Sequence, residues 1–240
     1  MDAETTGLNL DDDRIIEIAA VRFSIEEGVI DTFNEMVDPK RDIPKESFAI
    51  HNISSAMLEG KPTIDIVLPK LLDFIKDDII VGHQVTFDIT MVVNAAERLR
   101  IKTDLAKRTY IDTLRLGRNY GDSPNNSLVQ LAKHFNVAFE DSHRALDDVL
   151  MNIEVFKHLV SPYKTTEELF KLLARPIKMK YMPLGKYKGR LFSDIPHPYL
   201  RWAVNMDFDQ DLLFTIRTEL KKRKINPGFS EASNPFKNLG

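Results

Sequence analysis

The 240-residue chain contains no cysteine. That absence excludes disulfide frameworks, thiolate metal sites and cysteine nucleophiles, and it fits an intracellular protein. No stretch approaches the roughly 20 apolar residues that cross a bilayer as a helix. The opening residues, Met-Asp-Ala-Glu-Thr-Thr, are neither cationic nor apolar, unlike a signal peptide. No internal repeat is present. The expectation is a soluble, cytoplasmic protein with no membrane contact.

What is present suffices for a packed domain with a charged surface: 43% of residues are hydrophobic and 29% charged. The net charge of −3 is unevenly placed. Residues 1–175 hold 21 Lys and Arg against 30 Asp and Glu, whereas residues 176–240 hold 12 against 6. An acidic body with a basic end suggests a catalytic unit carrying a polyanion-gripping module, and equally a solvated basic helix end.

Arg14–Ser24 and Val29–Val37 read as a hairpin of strands joined by Ile25–Gly28. Short helical pieces follow over Lys45–Leu58. A helix over Ile64–Lys76 places Ile64, Val67, Leu68, Leu71, Leu72 and Ile75 on one face. Asp78–Gly82 and Thr109–Asp112 read as short strands. Phe87–Leu99, Asn126–Phe135 and His143–Leu159 read as helices. The fold class is mixed α/β, antiparallel at first and helix-separated later. The expected organisation is a unit over 1–160, a linker and helix over 161–179 including Thr166–Leu173, a small basic α+β domain over 180–224, and a loose tail over 225–240. Two helices, near Pro198–Asn205 and Asp209–Arg223, belong to the small domain.

Carboxylates recur at element ends. Asp2 and Glu4 have period-two spacing, so on a strand both point to one face. Thr5-Thr6-Gly7 follows, offering hydroxyls and backbone amides. Asp88 lies just after an apolar strand, in His83-Gln84-Val85-Thr86-Phe87-Asp88, where the next helix starts. His143 and Asp148 lie five apart, which on a straight helix would separate them by about 140°. His143 therefore belongs to the loop before the helix and Asp148 to the helix itself. Such oxygen-rich clusters suit hard divalent cations, and phosphodiester cleavage needs both charge neutralisation and a nucleophilic water. Taken singly, each acidic residue is better explained as a helix cap or dipole partner.

Together, Asp2–Leu8, His83–Asp88 and His143–Asp148 resemble the three motifs of the DEDDh exonucleases, the family that includes the proofreading epsilon subunit of bacterial DNA polymerase III. The resemblance covers about residues 1–160, including Ile50-His51-Asn52-Ile53. It implies a ribonuclease-H-like fold, a mixed sheet flanked by helices. It also implies two Mg²⁺ or Mn²⁺ ions held by Asp2, Glu4, Asp88 and Asp148, with His143 as general base. Asp147 falls one position off the pattern. Thr6, Gly7 and Leu8 would contact the terminal nucleotide, with His51 and Phe87 lining its pocket. For Leu8 and Phe87 a packing role is the competing explanation. Asn52 replaces the family's usual glycine, a mild change because Asn tolerates positive φ.

In the family, an apolar strand leads into the first aspartate, whereas here only Met1 precedes Asp2. That implies a start assigned at an internal methionine or a true truncation, with unpaired ladder groups, an open groove and, for a frayed end, weakened metal binding. Met182–Arg190 and the Pro-Tyr-Leu-Arg-Trp helix behind it resemble a small domain of unknown function that follows some bacterial exonucleases. Lys186, Tyr187, Lys188 and Arg190 are candidate nucleic-acid contacts there, a structural hairpin packed on Trp202 being the alternative. Gln210–Phe214 has the look of a sliding-clamp peptide, but the helical face of Leu212, Leu213, Ile216 and Leu220 favours core packing.

The resemblance thus implies a 3′-to-5′ exonuclease acting on single-stranded or frayed DNA ends, in proofreading or repair, with a replicative polymerase as partner. An RNA-trimming enzyme of the same family is the nearest alternative. A non-catalytic nucleic-acid-binding or polymerase-bridging protein is the alternative from another class.

Overall fold

The computed structural model describes residues 1–121, 126–139 and 143–225. The expected loose tail lies, from residue 226 onward, outside the described residues. Strands β1 (Asp2–Thr5), β2 (Ile15–Ser24) and β3 (Gly28–Met36) form an antiparallel sheet in that order. Helices α1 (Lys45–His51), α2 (Ser55–Leu58) and α3 (Ile64–Ile75) follow. Next come β4 (Ile80–Gly82), α4 (Thr86–Leu99), β5 (Tyr110–Asp112) and α5 (Thr113–Tyr120), with β4 and β5 paired in parallel. The buried ammonium of Met1 donates to the Val81 carbonyl at 2.9 Å and so joins the two sheets. Helices α6 (Leu128–His134), α7 (Ala145–Val160) and α8 (Thr166–Leu173) complete this part. This is the expected α/β arrangement of a sheet flanked by helices.

The alternation of β2 decides what packs on each face. Ile18 and Ala20 point to the cluster holding Val67, Leu68 and Leu71 of α3 with Met91 and Val92 of α4. Ala19, one residue out of phase, meets Ala145, Val149 and Ile153 of α7 instead. Each fully buried Leu, Ile or Met here stabilises by roughly 1.5–3 kcal/mol before entropy is counted. Glu17 and Ala19 share a side, so α7 lies over the face where Glu17 points.

Pairing of β1 with β2 runs only as far as Asp2 opposite Ala19. Beyond it a groove of about 660 Å³ opens, lined by Val21, Phe23, Phe74, Ile79, Val81 and Phe156 among others. Met1 also lines the groove and is itself buried, so β1 is anchored rather than frayed at its first residue.

The remaining residues form α9 (His197–Ala203) and α10 (Gln210–Ile225) around a core of Met179, Met182, Phe192, Ile195, Leu200, Leu212 and Ile216. Among the described residues, the β structure of this part is one antiparallel bridge, Tyr181 to Leu191. Gln210–Phe214 is helical and Leu212 fully buried, which fits core packing rather than an extended clamp peptide. Buried charges hold this part to α5. Arg115 donates to both carboxylate oxygens of Asp211, at 2.9 and 3.0 Å, and Arg118 reaches Asp209 and Asp211. No helix among the described residues is long and apolar enough to cross a membrane.

Candidate active site

The register of β1 on β2 sets the site. Asp2 lies opposite Ala19 and Glu4 opposite Glu17. Directly opposed residues of an antiparallel pair share a face, so Asp2 and Glu4 point toward α7. Asp148, in the first turn of α7, comes to meet them, and carboxylate oxygens of all three lie within 4.8 Å of one another. Asp147 is not in that group among the described residues. Asp88, buried at the start of α4, accepts a hydrogen bond from the Ala3 amide at 3.0 Å through Oδ1. His143 lies just before α7, with φ +44, and not in the helix.

Crowded acids of one sign resist ionisation. Burial first, and then the neighbouring charge of Asp148, push the Asp2 carboxyl up to about 7. Burial and then Asp2 push Glu4 up to about 8. Burial chiefly, with Asp2 beside it, also raises Asp88 well above the usual carboxylate range. Asp2 and Glu4 thus converge on Asp148 with their own carboxyls held toward the neutral form. That donor set fits hard divalent cations, which would restore the ionised forms.

Glu17 and Arg144 form a part-buried pair beside the carboxylates that the sequence reading missed. Glu17, only 1% exposed, accepts from Arg144 Nε at 2.9 Å and from the Ala145 amide at 3.1 Å. It thereby caps the amino end of α7 from a neighbouring strand and holds the loop carrying His143. The available signal was a lone charge inside the apolar run Ile15-Ile16-Glu17-Ile18-Ala19-Ala20.

Thr6, expected to contact the nucleotide, has polar groups engaged within the protein. Its hydroxyl donates to Asp13 Oδ1 at 2.6 Å, and its amide donates to the Arg14 carbonyl at 2.9 Å. Thr6 is therefore engaged in building the turn after β1, with Asp13 as the hub that also accepts from the Asn9 amide at 2.8 Å. Gly7 is needed because a Cβ there would lie 2.4 Å from the Asp13 carboxylate. The turn leaves Leu8 84% exposed, which rules out core packing for it. Phe87 is half-buried and packs against the core of α3 and α4.

His51 closes α1 and is 2% exposed. Its Nδ1 accepts from the Ile53 amide at 3.0 Å, so the proton of the neutral ring sits on Nε2, which is buried without a hydrogen-bond partner. Burial chiefly lowers its pKa. Asn52 takes the left-handed conformation at φ +55, the backbone state for which the family uses glycine. Lys186, Tyr187, Lys188 and Arg190 lie apart from the carboxylates in sequence, on the turn that begins with Gly185–Tyr187.

The Exonuclease family profile matches residues 1–156, and a profile described as a quorum-sensing-regulated virulence factor matches residues 168–222. A PolC-type DNA polymerase III of Clostridium perfringens is 36% identical over 157 residues, 65% of this chain but 11% of the polymerase. The chain thus spans a small fraction of such polymerases. The DNA polymerase III epsilon subunit of Aquifex aeolicus is 35% identical over 158 residues, 65% of this chain and 76% of the subunit. Among solved structures, Exonuclease X in complex with 5′ overhanging duplex DNA is 25% identical with a TM-score of 0.54, covering 71% of this chain and 96% of that one. With its α/β fold, its gathered carboxylates and a profile match over most of its length, the chain belongs to the exonuclease family that also holds the epsilon subunits of bacterial DNA polymerase III.

Proposed function

We propose that the chain is a 3′-to-5′ exonuclease that hydrolyses the terminal phosphodiester of single-stranded or frayed DNA ends and releases nucleoside 5′-monophosphates, in proofreading or repair. The observation that carries this reading is the convergence of Asp2, Glu4 and Asp148 within 4.8 Å beside the helix entry that holds His143. Residues 1–160 are the catalytic unit, and residues 180–224 are a basic attachment to it.

Two divalent cations, Mg²⁺ or Mn²⁺, would supply charge against the phosphate and acidify a water. Asp2, Glu4 and Asp148 contribute oxygens to hold them, with Asp88 contributing the oxygen not engaged by Ala3. His143 removes the proton of the attacking water as general base. The Glu17–Arg144 pair keeps the His143 loop in place. Leu8 projects from the turn after Glu4 toward the terminal base, and Gly7, His51 and Phe87 shape the space beside it. A replicative polymerase is the proposed partner, by analogy with the epsilon subunit.

The test follows products from single-stranded DNA labelled at its 5′ end, with Mg²⁺. A ladder shortening one nucleotide at a time, with 5′-monophosphates released, is expected. Release of the 5′ label as a mononucleotide, or internal cuts, would reject the direction. Faster trimming of the matched RNA would make this the RNA enzyme instead.

A further inference from the structure

The turn that begins at Gly185 packs its one aromatic ring against α9. Tyr187 meets Tyr199 edge-on at 4.7 Å between centroids, and Tyr199 meets Trp202 at 5.2 Å. Tyr199 and Trp202 are three apart on α9, hence on one face. Lys186 and Arg190 lie over the Tyr187 ring, 5.6 and 5.7 Å from its centre. The small core of this part is filled by Met179, Met182, Phe192, Leu200, Leu212 and Ile216, and Trp202 is not among the residues packed against it. Trp202 remains 52% exposed, its indole open to a ligand beside the Tyr199 ring.

The turn is built to lie there. Gly185 has φ +71, and a Cβ on it would come within 2.8 Å of the Tyr199 hydroxyl. Among the described residues, Lys186, Lys188 and Arg190 are exposed and enter no ion pair with a carboxylate. Lys188 also lines a cleft of about 850 Å³ whose other wall includes Gln84, Phe87 and Tyr110 of the catalytic unit. An edge-packed aromatic cluster flanked by exposed cations, with Lys188 on the wall of that cleft, matches one ligand chemistry: a flexible polyanion with flat faces.

We propose that Tyr187, Tyr199 and Trp202, with Lys186, Lys188 and Arg190, form a stacking platform for single-stranded DNA that leads the strand along the cleft toward Phe87. The choice of DNA rests on the function proposed above; the platform itself does not depend on hydrolysis. Bases stack on the rings while the three cations take consecutive phosphates.

Trp202 is the sole tryptophan of the chain, so its fluorescence reports from the platform alone. The full chain, in excess chelator so that nothing is cut, is titrated with oligothymidylate, with a duplex of similar length, and with oligouridylate. Quenching by oligothymidylate is expected, with little by the duplex. Tyr187→Ala and Trp202→Ala, the latter followed by anisotropy of a labelled strand, should each weaken binding roughly 5- to 150-fold, the worth of one stacked base. Replacing Lys186, Lys188 and Arg190 together with Gln should reduce the logarithmic salt slope by about 2. Unchanged melting temperatures would show that the variants fold; should Tyr187→Ala melt early, Lys188→Gln alone must still lower the slope. No quenching by any strand, or quenching with slopes unchanged in the Gln variant, overturns the proposal. Tighter binding of oligouridylate overturns the DNA assignment. Quenching without any cleavage in Mg²⁺ would leave the platform standing and reject the catalytic reading, whereas cleavage of a dinucleotide without quenching would do the reverse.

Discussion

Arg144 Nε donates to Glu17 Oε2 at 2.9 Å, joining two residues 127 positions apart, one of them immediately after His143. Glu17 is almost fully buried, whereas Arg144 keeps partial access to water. Removing the arginine therefore leaves a buried carboxylate with only the Ala145 amide. Arg144→Gln should destabilise the fold by up to about 3 kcal/mol, near the lower figure for breaking a buried pair. It should also lower kcat about tenfold or more, because the general base loses its anchor. Arg144→Lys should recover stability more than turnover, since a point charge cannot clasp both oxygens. Denaturant melts and steady-state kinetics check both arms; unchanged kcat in Arg144→Gln would sink the positioning role.

His143→Ala should lower kcat by roughly 10²–10⁴-fold, the usual worth of a positioned general base, with little loss of DNA affinity. Asp148→Asn should be at least as damaging, because it replaces a charged carboxylate of the converging group with a neutral amide. Single-turnover rates beside binding in chelator separate the two effects. Near-normal turnover in His143→Ala would show that another group takes the proton.

Asp2 and Glu4 hold their protons to about 7 and about 8, against ordinary values of 3.8 and 4.5. The folded, metal-free protein thus binds protons more tightly than the unfolded chain does. Their contribution to stability is complete below the ordinary values and is lost as pH rises toward 7 and 8. Chelator-treated protein should therefore lose melting temperature across that window, and Glu4→Gln should flatten the decline. Added Mg²⁺ should raise the melting temperature more at the alkaline end, where it no longer competes with protons. Activity should vanish in chelator. An equal Mg²⁺ effect at both ends of the window would argue against binding by these carboxylates.

Asp211 bonds Arg115, Arg118 and the Ile177 amide while only 1% exposed. Burial alone would raise its pKa, but the Arg115 hydrogen bond, the Ile177 amide and Arg118 together hold it below the ordinary value. Asp211→Ala leaves Arg118 with Asp209 and Arg115 with two backbone carbonyls, and should cost about 3 kcal/mol, the lower figure for breaking a buried pair. Cutting the chain near Ser161 removes the same partner, so such a fragment should lose stability as well as basic charge. Urea melts of Asp211→Ala test this; a loss below about 1 kcal/mol would mean the two parts are only loosely joined.

Much of the architecture is legible in local pattern. The Ile-, Val- and Phe-rich run of Ile15–Ser24 and a 3.6-residue apolar stripe in Ile64–Ile75 announce a strand and a helix whatever lies around them. Helix α5 was not legible, and no helix was expected over Thr113–Tyr120. Its sequence, Thr-Leu-Arg-Leu-Gly-Arg-Asn-Tyr, is short, carries a central glycine and few apolar residues, and one of its buried residues is Arg118. Carboxylates 91 and 93 residues away, on Asp209 and Asp211, make that burial tolerable.

The same division holds at the site. By itself, the sequence determined which residues could do chemistry: the spacing of Asp2 and Glu4 gives them one face, and the spacing of His143 and Asp148 assigns one to a loop and the other to a helix. Tertiary structure alone decided which of them meet. The register of β1 on β2 turned Asp2 and Glu4 toward α7, and the face of β2 opposite α3 and α4 brought Asp148 to them. It also gave Glu17 to Arg144, because hydrogen bonding between residues far apart in the chain is settled by packing and not by local propensity.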